Sequence, residues 1–217
     1  DGEAAPENTA AAFESAVGLG FRYLETDVRC TRDGTLIAFH DDRLDRVTDQ
    51  RGSIARLDYK DVAGARVSGR EPIPLMEELL GNFPEIRFNI DPKADAAVGP
   101  LIELIRRTRA QERVCIGSFS DKRLKQIRSA LPGICTSMAT LETTRARLSS
   151  IGLPIGRLQA ACAQVPVVWN GIRVIDRRFV TAMKSRSLQV HVWTVNEPKE
   201  MERLLDLGID GLMTDRP

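Results

Sequence analysis

Histidine is scarce in this chain. Two of its 217 residues are His, at positions 40 and 191. The four cysteines, Cys30, Cys115, Cys135 and Cys162, are widely spaced and form no CxxC pair. That spacing argues against a disulfide framework and against a zinc site. Cys115 and Cys135 lie inside apolar runs (VCIGSF, GICTSM), so buried, reduced thiols are expected. No apolar stretch approaches the length of a membrane span, so stable membrane insertion is not expected. Neither sign of charge is in excess. The net charge is +1 with acids and bases mixed along the chain, which gives nucleic-acid binding no support. There is no GxGxxG fingerprint, no P-loop, no low-complexity linker and no visible signal peptide. The sequence opens at Asp1 without a methionine, which leaves room for a missing targeting segment; a cytoplasmic protein is the working expectation.

What is present suits an ordinary globular protein, with 42% apolar and 28% charged residues. The length fits one moderate domain or a small α/β barrel. Strand-like runs occupy 23–30, 36–41, 87–93, 114–119, 134–139, 158–163, 190–195 and 211–215. Amphipathic helical patterns occupy 7–20, 100–110, 121–131, 176–187 and 198–208, several opening on Asp or Pro and closing near Gly. Residues 140–157 read as helix then loop. Strand-then-helix repetition argues for parallel strands joined by helical crossovers. The run LIAFHD follows the first strand after only the turn TRDGT, too soon for a parallel partner. It is an antiparallel excursion or an extended loop. Without it seven strands remain and the chain begins on a helix. A (β/α)8 TIM barrel lacking its first strand fits; an open doubly wound sheet is the alternative.

Glu25 and Asp27 are two apart on a predicted strand, so their side chains share a face. Asp91 stands near the end of the next main strand, and Lys93 follows at the same spacing. In a parallel barrel these strand ends meet on the rim that carries active sites. Three carboxylates converging there repel one another, and a divalent cation resolves the conflict. Oxygen-only ligands suit Mg²⁺ or Ca²⁺, with Mn²⁺ also compatible. The alternative for Glu25 and Asp27 is ordinary pairing with arginines. His40 ends its run among acids and is a candidate general acid/base. His191, within VHVWTV, reads as buried, hydrogen-bonded and structural. Trp193 shares its face and is either a rim residue packing on a ligand or part of the core.

Several motifs, in order, resemble the glycerophosphodiester phosphodiesterase family. They are APENTAAAF (5–13), LETDVRCTRDGTLIAFHDDRLDRVTDQRG (24–52), IPLMEELL (73–80), NIDPK (89–93), more loosely AQVPVVW (163–169), and VHVWTVNEPKEMERLLDLGIDGLMTDRP (190–217). The resemblance runs end to end and is weakest over 94–160. It implies a (β/α)8 barrel forming a single domain over 1–217, a divalent cation (Mg²⁺ or Ca²⁺) on Glu25, Asp27 and Asp91, His40 as one of two catalytic histidines, and Lys93 on the phosphate. It also implies a small-molecule phosphodiester substrate, hydrolysed to glycerol 3-phosphate and an alcohol, with the substrate's own 2-hydroxyl as a candidate nucleophile. A lysophospholipase D-like enzyme and a non-catalytic phosphate-ester-binding barrel are the other readings; no long exposed apolar loop is evident to favour a lipid surface. Two departures stand out. The position of Asp91 is usually glutamate, one methylene longer. The family's H-R-G motif, due just ahead of PENT, has no counterpart, so the sequence is expected to be N-terminally incomplete and, as written, impaired.

Overall fold

The computed structural model describes residues 5–217. The segment ahead of them, where the sequence suggests that a first strand is lacking, lies outside the described residues. The chain forms two compact units, one of residues 1–116 with 126–134 and one of 117–125 with 135–217.

In the first unit α1 (Ala10–Gly18) starts three residues later than its apolar pattern suggests. Pro6 precedes it, Asn8 is left-handed (φ 56°), and the Thr9 hydroxyl caps it by accepting from Ala12 N. Its buried Phe13 meets Phe88 edge-on. Next come β1 (Tyr23–Cys30) and β2 (Leu36–Ala38), which is antiparallel to β1. Of the two readings of LIAFHD, the excursion is the right one, and it stops at Ala38. Residues beyond it fold over their own small core of Phe39, Leu44, Ile54, Val62, Val67 and Ile73. This insertion holds α2 (Tyr59–Val62) and a hairpin of β3 (Arg66–Val67) and β4 (Glu71–Pro72). Its three-residue loop, Ser68 to Arg70, has positive φ at Ser68 and Gly69. After α3 (Met76–Asn82), β5 (Arg87–Pro92) pairs in parallel with β1; α4 (Val98–Thr108) then crosses over to β6 (Val114–Ile116), parallel to β5.

Helix α5 (Asp121–Ala130) and β7 (Cys135–Thr136) follow. The second unit continues with α6 (Thr140–Ser149), β8 (Cys162–Pro166), β9 (Val168–Trp169), β10 (Ile172–Arg173), α7 (Arg177–Lys184), β11 (Gln189–Trp193), α8 (Pro198–Leu207) and β12 (Gly211–Leu212). β11 pairs in parallel with both β8 and β12, and a parallel bridge from Ser137 to Cys162 sets the end of β7 beside β8. The sheets bury Val165, Val190 and Val192 against Phe179, Met183 and Leu204 of the helices. Residues 140–157 are helix then loop, as expected. The strand expected at 158–163 lies four residues later, because pairing Ala163 with Val190 and Val165 with Val192 places the apolar side chains inward.

Within each unit the parallel strands advance in one direction: β1, β5, β6 in the first; β7, β8, β11, β12 in the second. A doubly wound sheet reverses its order at a switch point; neither unit does so. Cys30 and Cys162 are buried, but Cys115 and Cys135 are only half-buried, which corrects the expectation for that pair; among the described residues none of the four is in a disulfide. Among the described residues no helix is long and apolar enough to cross a membrane.

Candidate active site

The register of β1 on β5 builds the centre of the site. Asp27 stands directly opposite Asp91, and Glu25 opposite Asn89. Residues opposite one another in a ladder share a face, so the two aspartates are neighbours and Glu25 lies on that face one pleat earlier. Asp27 is buried, Asp91 half-buried and Glu25 exposed. The chain leaves β5 at Pro92 with the Lys93 amide donating to Val28 O. That bond turns the Lys93 side chain back over the strand ends. Its Nζ lies 2.7 Å from Asp27 Oδ1 and 2.9 Å from Asp91 Oδ2. Burial pulls the lysine pKa down, but the two aspartates outweigh it and hold the ammonium above its usual value.

A residue from the PENT-type segment completes this group. Asn8 donates through Nδ2 to Asp27 Oδ2 at 3.2 Å, and its Oδ1 accepts from Thr26 Oγ1 (2.7 Å) and from the Asp27 amide (3.2 Å). The left-handed backbone at Asn8 is one that asparagine tolerates better than most residues. Nothing in the spacing of the PENT-type segment points to this role of Asn8.

His40 is joined to the same strand. The Phe39 amide donates to Asp27 O (2.9 Å), and Arg29 donates to the His40 carbonyl from Nε (3.0 Å) and Nη2 (2.8 Å). The imidazole is exposed, with Nδ1 2.7 Å from Asp41 Oδ1. Arg46 in turn grips Asp41 through Nε at 2.5 Å and reaches Glu7 of the PENT-type segment through Nη2 at 2.5 Å. The Arg46 guanidinium, with His40 beside it, holds the Asp41 carboxyl at a pKa of about 2. Asp41 therefore stays ionised and fixes the ring by Nδ1, leaving Nε2 for chemistry. Asp41, Arg46 and Glu7 were not assigned roles from sequence. Their signal is present in the H-D-x-x-L-x-R spacing and in the glutamate of PENT.

The other two candidates belong to the second unit. His191 is half-buried, and its Nε2 lies 3.2 Å from Gln189 Oε1, two residues earlier on the same face. Burial pushes its pKa below the usual histidine value, with Asp210 and Cys135 opposing. The ring lies against Gly211, where an added Cβ would come within 3.0 Å of Cδ2. Trp193 is half-buried and meets the Phe119 ring edge-on at 5.7 Å, while Phe119 stacks on Trp169 at 5.5 Å.

Among the described residues, no group of three or more His, Cys, Asp and Glu is arranged to hold a metal ion. The donor set itself suits a hard divalent cation, since Glu25, Asp27 and Asp91 offer only carboxylate oxygens on one face. An ion held there would take over from the Lys93 ammonium the task of offsetting the two aspartates.

The model of the glycerophosphoryl diester phosphodiesterase family matches residues 1–217. The chain is 40% identical over 220 residues to a Mycobacterium tuberculosis protein named "Probable glycerophosphodiester phosphodiesterase 2", covering 97% of this chain and 82% of that protein. It is 30% identical over 236 residues to a glycerophosphodiester phosphodiesterase of Caldanaerobacter subterraneus, covering 100% of this chain and 91% of the other. Its fold is similar to that of an Oleispira antarctica phosphodiesterase solved in complex with the product sn-glycerol-3-phosphate. The TM-score is 0.83 at 21% identity, over 99% of this chain and 89% of that one. Family and solved structures together imply an α/β fold of the TIM-barrel kind. The strand ladders of the described residues remain separate sheets.

Proposed function

Since the chain belongs to the glycerophosphoryl diester phosphodiesterase family, we propose that it hydrolyses small glycerophosphodiesters to glycerol 3-phosphate and an alcohol. The observation that carries the reading is the attachment of one acid/base group and one charged group to the same strand. His40 follows the Phe39–Asp27 backbone bond, and Lys93 bridges Asp27 and Asp91.

In this reading Glu25, Asp27 and Asp91 hold a divalent cation, Mg²⁺ or Ca²⁺. When bound, it supplies positive charge to a phosphate oxygen. Lys93, freed toward the phosphate, adds charge where the equatorial oxygens become more negative. His40, oriented by Asp41, exchanges a proton through Nε2 with the attacking or departing oxygen. Asn8 holds Asp27 on its second oxygen and keeps the carboxylate aimed. Trp193 is proposed to pack on apolar parts of a ligand.

The test is hydrolysis of glycerophosphocholine and glycerophosphoethanolamine by the purified chain, with and without Mg²⁺, Ca²⁺ and a chelator. Release of glycerol 3-phosphate that ceases on chelation and returns with one cation supports the whole reading. Turnover unaffected by chelation removes the cation from it. Binding of the diesters without turnover, unchanged by His40→Ala, favours a phosphate-ester-binding barrel instead.

A further inference from the structure

Charge and apolar surface are unevenly distributed in the second unit. Between residues 140 and 190 there are eight Lys and Arg against two acids, although the whole chain is nearly neutral. The even mixing expected from composition therefore fails locally. Asp176 offsets one of the eight, Arg147, and Asp210, outside this stretch, lies 3.6 Å from another, Lys184. Glu142 is buried and accepts from the Gln159 amide, and Asp176 caps α7 and pairs with Arg147 at 2.7 Å.

The same region exposes apolar side chains. The β9–β10 hairpin turns at Asn170–Gly171, both with positive φ, and presents Val168, Trp169 and Ile172 at 50%, 48% and 67% exposure. A hairpin of four paired residues cannot hide these side chains behind itself. Phe119, itself half-exposed, stacks on Trp169 and supports the tip from the side. The exposed apolar element is a short hairpin, not the long apolar loop whose absence the sequence suggests. Arg173 ends the hairpin and Arg177 and Arg178 open the next helix, all three exposed. Glu200 lies near enough to Arg173 to sense its charge, but its carboxylate is already paired with Arg203 at 2.6 Å.

We propose that the β9–β10 hairpin docks this protein on the surface of an anionic phospholipid bilayer. Tryptophan favours the headgroup level, where its ring is apolar and its N–H stays wet. Valine and isoleucine on a rigid tip enter the acyl boundary without exposing backbone, because the hairpin pairs its own amides. Arg173 shares a face with Val168, opposite the face of Trp169 and Ile172, and Arg177 and Arg178 follow within six residues of Ile172. Each exposed arginine adds attraction to anionic headgroups that falls with salt. The charge decides between occupants. A second copy of this basic region repels itself, whereas an anionic membrane complements it. Docking of this kind would hold a phosphodiesterase where lipid breakdown releases its substrates, yet it does not depend on the site residues of the first unit.

The test is sedimentation of the full chain with phosphatidylcholine vesicles and with vesicles carrying 30 mol% phosphatidylglycerol, at low and high salt, beside Trp fluorescence of Trp193→Phe. That variant leaves Trp169 as the only indole. Binding confined to the anionic vesicles, weakened by salt, with a blue shift of Trp169, is expected. Trp169→Ser/Ile172→Ser should weaken binding at least tenfold, and Arg173→Gln/Arg177→Gln/Arg178→Gln about a hundredfold, with unchanged circular dichroism and melting temperature. Absence of binding, equal binding to both vesicles, or wild-type binding by either variant overturns the proposal. So does a tip-dependent dimer in gel filtration that shows no vesicle binding.

Discussion

The ammonium of Lys93 lies 2.7 Å from a carboxylate oxygen of Asp27, and the same Nζ reaches Asp91 at 2.9 Å. One ammonium, two residues beyond the strand partner, thereby offsets part of the charge of two acids placed opposite each other in one ladder. Replacing the lysine leaves both carboxylates facing each other in a place with little water. Lys93→Met should cost about 3 kcal/mol of folding stability at neutral pH. Excess Mg²⁺ or Ca²⁺ should restore part of the loss, because a ligand that binds only the folded form raises its stability by mass action. Thermal melts of the variant with and without each cation check this. A variant that melts like the parent in chelator would show that the lysine is not what balances the pair.

In the proposed reaction His40 moves the proton and Asp41 only orients its ring. His40→Ala should lower kcat by roughly 10²–10⁴-fold with little change in melting temperature, since the ring is exposed. Asp41→Asn removes the charge that fixes Nδ1 but keeps the shape, so a smaller loss of about 10–100-fold is expected, as for groups that orient a reacting side chain. A matching pH–rate profile for Asp41→Asn and the parent would argue against the orienting role.

The oxygen donors are tested by length as well as by charge. Asp27→Asn and Asp91→Asn should each reduce turnover by roughly 10²–10³-fold, the scale of losing one preorganised electrostatic contact. Asp91→Glu restores the longer side chain usual at this position and should keep activity within about tenfold of the parent, its cost being one extra methylene in a packed place. Cation titrations of turnover distinguish weakened binding, seen as a shifted midpoint, from lost chemistry, seen as a lowered plateau.

Asn8, just ahead of α1, is tied to β1 by three hydrogen bonds. Asn8→Gly keeps the left-handed backbone open and deletes only the side chain. Loss of about 1–3 kcal/mol is expected, because Asp27 N and Thr26 Oγ1 lose a partner in a half-dry place. Asn8→Ala should be worse than Asn8→Gly by a further ~1 kcal/mol, the cost of putting a Cβ in that backbone conformation. Chemical denaturation of the three proteins gives the order directly.

The sequence made the strands of the site readable because their chemistry is local. Spacing by two puts Glu25 with Asp27 on one face of β1, which the ladder keeps, and Lys93, beyond the end of β5, reaches Asp91 with its side chain. The antiparallel excursion was legible too, since five residues of turn cannot reach a parallel partner. What escaped depends on long-range partners. Asn8 is 18 residues from Thr26, and Glu7 is 39 from Arg46. Periodicity carries no trace of such pairs. The two-residue strands of both hairpins lie below what alternation can detect, and β8 was misplaced because pairing with β11, not its own composition, fixes its register. The exposure of Trp169 and Ile172 was equally invisible, as an apolar run reads as core until its partners are known.

Acid should lower the protein's stability over two separated pH ranges, and the two groups responsible lie in different units. His191 is held below its ordinary pKa by burial, so the unfolded chain binds its proton more readily than the folded one. Stability from this group is full above about pH 6.5 and declines as pH falls below that value. Asp41 follows the same sign lower down. Its folded pKa of about 2 lies beneath the ordinary 3.8, so its contribution is full above about pH 4 and is lost as pH falls toward 2. Arg46 is half-exposed, so solvent screening limits this second contribution to about 1 kcal/mol. His191→Gln should flatten the stability profile between pH 7 and 5 and leave the part below pH 4 unchanged. Arg46→Met should do the reverse. Gly211→Ala gives a third reading, because its Cβ presses on the His191 ring without changing any charge. It should lower stability at every pH by a similar amount, and a loss confined to acid would show that the ring's protonation, not its packing, is what Gly211 protects.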